Sequence, residues 1–248
     1  MDKEKKVQGE KEEKQEVKKE EKTENKEKEL NEQISKLKDE LAGNERADDM
    51  REQNEKAVQA MRAFLEALGL DLEQCSMERT PERVARLYGD LFDGLGKDPA
   101  SIWGERFASE TKGIVAVRHI PFYSVCEHHL LPFFGEVSLA YLPHDGQVAG
   151  FSKFVKLIEC FAHRPQLQER MTAQLADAIR DGLDAEGVLV VVEAEQLCMT
   201  MRDGMARGTK TVTSECLGAF RTDAVLCQQA WMVLGGKQDD STAEIHLS

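Results

Sequence analysis

Cys126 and His129 form a C-x-x-H pair, a spacing that lets one short loop offer a thiolate and an imidazole to the same ion. Soft sulfur together with imidazole favours zinc. Two ligands hold a metal weakly, so a third is expected from elsewhere in the chain. Cys198 follows the apolar run Val188-Leu189-Val190-Val191-Val192 and would supply it from a rigid element. Three protein ligands leave a fourth position open, where a catalytic zinc carries a water whose pKa falls toward neutrality. Taken alone, C-x-x-H is a weak signal, because a cysteine is more often a small buried hydrophobe. Cys75, Cys160, Cys216 and Cys227 are read in that plainer way.

The chain of 248 residues carries a formal net charge of -13. That balance argues against wrapping nucleic acid, and it requires any anionic substrate to be held by a local basic cluster rather than by the overall field. No apolar run approaches the length a bilayer requires, and no apolar segment follows the charged N-terminus, so a soluble, unexported protein is expected. Six cysteines without a signal peptide read as reduced thiols or metal ligands, which fits the cytoplasm.

Several elements must position these groups. Residues 1–49 are dominated by Lys and Glu and read as a disordered or partly helical tail, with Leu30, Ile34, Leu37 and Leu41 at helical spacing. The folded part, residues 50–248, opens with a helical stripe of Val58, Met61, Phe64, Leu65 and Leu68 that ends at Gly69. Thr80-Pro81 then predicts an N-cap followed by proline at the first helical position, with Val84, Leu87, Leu91 and Phe92 as the buried face. Strands are expected over 114–123 and 135–142, with Cys126 to His129 on the connection between them. A helix near 153–163, a break at Pro165 and a longer helix from about Gln166 to Leu183 follow, the last with Leu167, Met171, Leu175, Ala178 and Ile179 inward. A buried strand over 187–192 and further strands over 197–202 and 209–219 complete an α+β pattern with an antiparallel sheet.

Six motifs in order make the pattern specific: Cys126-Glu127-His128-His129; Gly150-Phe151-Ser152-Lys153; Arg164-Pro165-Gln166-Leu167-Gln168-Glu169-Arg170; Val192-Glu193-Ala194-Glu195; Cys198-Met199-Thr200-Met201-Arg202; and Lys210-Thr211-Val212-Thr213. Across roughly residues 54–222 the chain resembles GTP cyclohydrolase I. The resemblance implies a tunnelling fold, an antiparallel sheet backed by helices, assembled into a homodecamer with active sites between subunits. It also implies hydrolysis of the imidazole ring of GTP, release of formate and closure of a pterin ring to give dihydroneopterin triphosphate. By position, Cys126, His129 and Cys198 become ligands to Zn2+, and His128 becomes a proton-transfer residue beside them. Glu169 inherits the guanine N1/N2 edge, where a carboxylate can accept two N–H bonds at once, and Gln168 assists. Ser152, Lys153 and Arg202 match phosphate-binding positions, and Arg83 matches an arginine that reaches a neighbouring subunit's site. Lys156 stands where the family usually has arginine, which keeps the charge and loses the bidentate fork.

The chain departs from that pattern twice. Gln196 occupies a position at which the family has a catalytic histidine, and an amide has no usable pKa with which to shuttle a proton. Asp203 replaces the glycine that usually follows the phosphate-binding arginine. Three readings follow: the complete reaction, a truncated reaction that stops at the ring-opened formamidopyrimidine nucleotide, or a non-catalytic zinc- and nucleotide-binding regulatory subunit. Retention of the three ligands with His128 and Glu169 favours an enzyme.

Overall fold

The computed structural model describes residues 52–110, 113–202 and 207–235. The charged tail with its Leu30 to Leu41 stripe, and Asp203, lie outside them. The chain divides into two compact units, one ending at Arg86 and the other beginning at Leu87.

In the first unit, helix α1 spans 52–67, and Gly69 follows it at φ 85, the left-handed conformation that closes a helix without a Cβ penalty. Along its apolar stripe Val58, Met61 and Leu65 are half-buried, whereas Phe64 and Leu68 are 56% and 64% exposed. The Asp71 carboxylate accepts from the backbone N–H groups of Glu73 and Gln74, which tightens the turn leading to helix α2 (Thr80–Leu91). The first bond of α2 runs from the Arg83 N–H to the Arg79 carbonyl. The helix therefore opens one residue before the expected Thr80 cap, and Pro81 takes its second position, where a missing N–H is equally harmless. Its expected buried face is incomplete: Val84, Leu91 and Phe92 are half-buried, but Leu87 is exposed.

The second unit is built on a five-stranded sheet. Strands β1 (Phe107–Ala108), β2 (Val115–Cys126), β3 (Pro132–Leu142), β4 (Gln147–Val148), β5 (Pro165–Gln166), β6 (Gly187–Gln196) and β7 (Thr211–Gly218) alternate with helices α3 (Ser152–Ala162), α4 (Gln168–Leu183), α5 (Leu197–Thr200), α6 (Ala219–Thr222) and α7 (Ala224–Leu234). The main sheet runs β5-β2-β3-β6-β7, while β1 and β4 form a separate pair. All its neighbours are antiparallel except β5, which lies parallel to the end of β2. The sheet is thus mixed rather than purely antiparallel, because Pro165-Gln166 enters from α3 along the direction in which β2 is already running.

Burial parity follows the two-residue period of a strand. Val188, Val190 and Val192 point to one face with Val137, Leu139 and Tyr141, where Phe154 and Leu157 of α3 and Met171, Leu175 and Ile179 of α4 cover them. Leu189 and Ala140 point to the other face, where they meet Phe220, Ala230 and Leu234. Because β6 is covered on both sides, its sequence reads as a continuous apolar run. β3 and β6 approach so closely at Gly135 that a Cβ there would lie 1.9 Å from the Glu193 carbonyl oxygen.

Residues 197–202 do not form the expected strand. β6 loses its partners at this end, pairing last with Thr211 on one side and Phe133 on the other. Without a ladder to join, Leu197-Cys198-Met199-Thr200 coils into the single turn α5, closed by the Met201 N–H on the Leu197 carbonyl at 3.0 Å.

Candidate metal centre and its surroundings

Cys126 is the last residue of β2 and is 5% exposed. The turn after it is pinned at both ends: the Leu130 N–H donates to the Cys126 carbonyl at 2.8 Å, and the Cys126 N–H donates to the Leu131 carbonyl at 2.9 Å. Leu130 accepts a left-handed φ of 54 to complete the reversal into β3. His128 and His129 are carried on this turn, both exposed, with ring centroids 6.2 Å apart and nearly perpendicular.

A buried glutamine anchors the turn to the helix layer. Gln166 is 1% exposed; its Nε2 donates to the Phe161 carbonyl and to Gln174 Oε1, and its Oε1 accepts from Arg170 Nε at 2.9 Å. Arg170 in turn pairs with the Glu127 carboxylate, and the Glu127 N–H donates to the Gln166 carbonyl at 3.1 Å. Sequence reading leaves Gln166, Arg170 and Glu127 without a role. The signal that could have found them is charge complementarity between the Cys126 turn and the Q-E-R segment.

The α5 turn brings Cys198 to the same place. The sulfurs of Cys126 and Cys198 and a ring nitrogen of His129 lie within 4.8 Å of one another. Burial pushes the Cys198 thiol up, and the neighbouring Cys126 sulfur adds to the shift. Arg202 Nη1 lies 2.9 Å from His129 Nε2. A guanidinium only donates, so Nε2 is the acceptor in this contact. Two sulfurs and an imidazole at this spacing suit a four-coordinate ion with one position to spare.

Gln196 and Gln168 meet behind this turn. Gln168, the first residue of α4, is 3% exposed, and its Nε2 donates to the Val192 carbonyl at 3.0 Å and the Thr211 carbonyl at 2.9 Å, with Thr213 Oγ1 also at 3.2 Å. Its Oε1 accepts from Gln196 Nε2 at 2.7 Å. The side-chain bonds of Gln168 are therefore all internal to the chain, although the motif reading puts it at the substrate. Glu169 beside it is exposed, in the first turn of α4.

Ser152, Lys153 and Lys156 occupy the first turns of α3, with Lys153 half-buried and the other two exposed. Among the described residues, none of the three bonds to Cys126, His129 or Cys198, and Glu169 does not either. Arg83 is exposed on α2, in the first unit. A cavity of about 770 Å³ lies elsewhere on the sheet, lined by Arg118, His119, Glu136, Glu193, Lys210 and Trp231 among others, and it includes none of the three candidate ligands.

A mixed sheet backed by helices, with a trio of two cysteines and a histidine where β2 ends, defines a tunnelling-fold protein with a candidate metal centre. The chain belongs to the GTP cyclohydrolase I family of hydrolases, whose family model matches residues 57–234. It is 48% identical over 181 residues to GTP cyclohydrolase 1 of Carboxydothermus hydrogenoformans, covering 73% of this chain and 94% of that one. It is 50% identical over 165 residues to GTP cyclohydrolase 1 of Geobacillus kaustophilus, covering 66% and 88%. The crystal structure of the archaeosine synthase QueF-Like in the apo form is similar over 44% of this chain and 97% of that chain, at 19% identity and a TM-score of 0.34. No helix among the described residues is long and apolar enough to cross a membrane.

Proposed function

We propose that the chain catalyses zinc-dependent hydrolytic opening of the guanine imidazole ring of GTP, leading to dihydroneopterin triphosphate and formate. The observation that carries this reading is the convergence of Cys126, His129 and Cys198 within 4.8 Å, from two segments some seventy residues apart, in a chain of this family. Zinc held there supplies a Lewis acid that activates water and polarises the substrate. His128 sits on the same turn, outside the trio, and its imidazole can take and return protons at the ring nitrogens. Glu169 accepts the N1 and N2 hydrogens of guanine. Arg202, Ser152, Lys153 and Lys156 hold the triphosphate, and Arg83 of a neighbouring copy completes the cluster.

The same reading takes the protein as a homo-oligomer, a decamer by family resemblance, with sites between copies. Its support is the set of large apolar side chains that a single chain leaves uncovered, including Tyr123 at 66%, Val225 at 64% and Met232 at 67% exposure.

A second reading is favoured by one observation. Gln196 donates to a buried, fully engaged Gln168, so it is a fixed amide where the family has a proton-shuttling imidazole. In that case the reaction stops at the ring-opened formamidopyrimidine nucleotide. One experiment tests both: incubate the zinc-loaded protein with GTP and score intact GTP, ring-opened nucleotide, free formate and pterin separately by mass and absorbance. Unchanged GTP under zinc saturation overturns the proposal, and ring opening without formate selects the second reading.

A further inference from the structure

Cys216 and Cys227 look like two unrelated buried cysteines in the sequence, yet the fold sets their sulfurs 3.9 Å apart. Cys216 lies on β7 opposite Leu189, and Cys227 lies on α7; both are half-buried. The chain between them is ordered by α6 and by Asp223, whose carboxylate caps α7 by accepting from the N–H groups of Val225 at 2.8 Å and Leu226 at 3.1 Å. The approach of the two sulfurs is thus set by a capped helix resting on a sheet. A disulfide needs a sulfur–sulfur distance of about 2.0 Å, so oxidation must draw the two sulfurs together from van der Waals contact.

We propose that Cys216 and Cys227 form a reversible intramolecular disulfide, driven by a low-molecular-weight disulfide such as oxidised glutathione, that fastens α7 to the edge strand β7. In the first step the Cys227 thiolate attacks one sulfur of the oxidant, forms a mixed disulfide and expels one thiol. In the second, Cys216 attacks the Cys227 sulfur and expels the second thiol. Two S–H bonds are lost and one S–S bond is formed, and the two electrons and two protons leave with the oxidant as two thiols. Burial, and next the neighbouring Cys227 sulfur, hold the Cys216 thiol up at about 11, which disfavours Cys216 as the first nucleophile and suits it to the second step. Once Cys227 is in the mixed disulfide it can no longer carry charge, and its share of the upward push on Cys216 disappears.

The bond would act on a helix that buries few of its residues within a single chain. Ala230 and Leu234 are the buried residues of α7, while Val225, Met232 and Val233 are exposed. Trp231 and Leu234 also wall the 770 Å³ cavity that contains Glu136, Glu193 and Lys210. A tether at Cys227 restrains that wall.

The full chain with zinc added is treated with oxidised glutathione, alkylated, digested with trypsin and analysed by mass. Cleavage after Arg221 separates peptides 211–221 and 222–237, so the expected product is a cross-linked pair lighter than its two parts by two hydrogens. Reduced thiol should reverse it, and Cys227→Ser should abolish it. Amide exchange across 224–234 should slow on the order of tenfold on oxidation in the wild type and not in Cys227→Ser. Three results would overturn the proposal: glutathione on the exposed Cys75 with no 216–227 link; a link between chains rather than within one; or a link that leaves exchange in α7 unchanged.

Discussion

Gln196→His is the substitution that tests the chemistry most directly. Gln168 Nε2 faces two backbone carbonyls, Val192 at 3.0 Å and Thr211 at 2.9 Å, which can only accept, so the orientation of its amide is fixed and its Oε1 must be the atom that receives Gln196 at 2.7 Å. A histidine at 196 keeps that bond by donating one ring N–H to Gln168 Oε1. The other ring nitrogen is then left to take and give protons. One neutral donor replaces another, so the fold should change by less than about 1 kcal/mol. The chemistry should change much more. Opening the ring needs a proton at the ring nitrogen, which His128 can supply. Hydrolysing the resulting formamide needs a proton at the departing amine, because an unprotonated amide anion is a very poor leaving group. A general acid contributes roughly 10²–10⁴-fold, on the order of 3–5 kcal/mol of barrier. On the second reading the wild type should therefore consume GTP while the ring-opened nucleotide accumulates. Gln196→His should raise formate release toward that factor and restore pterin fluorescence, less than fully because Asp203 also differs. Wild-type protein that releases formate stoichiometrically, and forms dihydroneopterin triphosphate as fast as GTP disappears, would refute this reasoning.

Cys126→Ala, His129→Ala and Cys198→Ala should each lose the metal, expected at about one zinc per chain, together with turnover; full zinc and full activity in Cys198→Ser would remove Cys198 from the ligand set. Removal of residues 1–49 should leave the oligomer intact by light scattering, whereas a monomer would assign assembly to the Leu30 to Leu41 stripe. Gln168→Leu leaves the Val192 and Thr211 carbonyls and the Gln196 amide without their partner, and should cost about 1–3 kcal/mol in urea unfolding. His144 donates to Asp184 at 2.9 Å, and that bond first, then the charge of Asp145, raises its pKa above 6.5. A raised histidine stabilises the fold below its unfolded pKa and loses that contribution as pH rises through the folded value. Wild type should therefore melt above Asp184→Asn at pH below the histidine range, and the gap should narrow as pH rises through it; a constant gap would show that the charge on His144 does not contribute. Asparagine is chosen because residue 184 has a left-handed φ of 52, which it tolerates.

The elements that periodicity alone can carry were legible. Met171, Leu175 and Ile179 repeat at helical spacing and are fully buried on α4, and the unbroken apolar run of β6 marked a strand covered on both faces. Legibility failed where partners, not propensity, decide. Residues 197–202 follow the apolar β6 run with no turn residue between, and it is the loss of the β6 ladder after Gln196 that ends the strand and lets Leu197, Met199 and Met201, good helix formers, coil. Likewise the parallel pairing of β5 depends on where α3 delivers the chain, which two residues of local sequence do not encode.

The candidate site divides along the same line. Its candidate ligands, which lie within 4.8 Å of one another, could be nominated from sequence because metal chemistry restricts residue types, few side chains supplying sulfur and imidazole, and because the surrounding motifs singled out Cys198 among the later cysteines. The side chains that hold those ligands in position are interchangeable polar residues whose meaning lies in what they face. Gln166 and Gln168 differ by two positions and read alike, yet one supports Arg170 against Glu127 on the Cys126 turn and the other fixes Gln196 near Cys198. The amide of Gln168 is satisfied by groups 24 to 45 residues away, whereas that of Gln166 is satisfied by groups within eight residues and reaches the Cys126 turn only through Arg170. A buried glutamine with unmatched ends costs free energy, so such a residue persists where both ends are met. The same logic limits substitution at 196. A side chain there must present a donor to Gln168 Oε1, a condition both glutamine and histidine meet and aliphatic residues do not. Gln196→Leu should therefore lose stability by about 1–3 kcal/mol, where Gln196→His does not. Equal unfolding midpoints for the two variants would show that the Gln168 bond is not what governs this position.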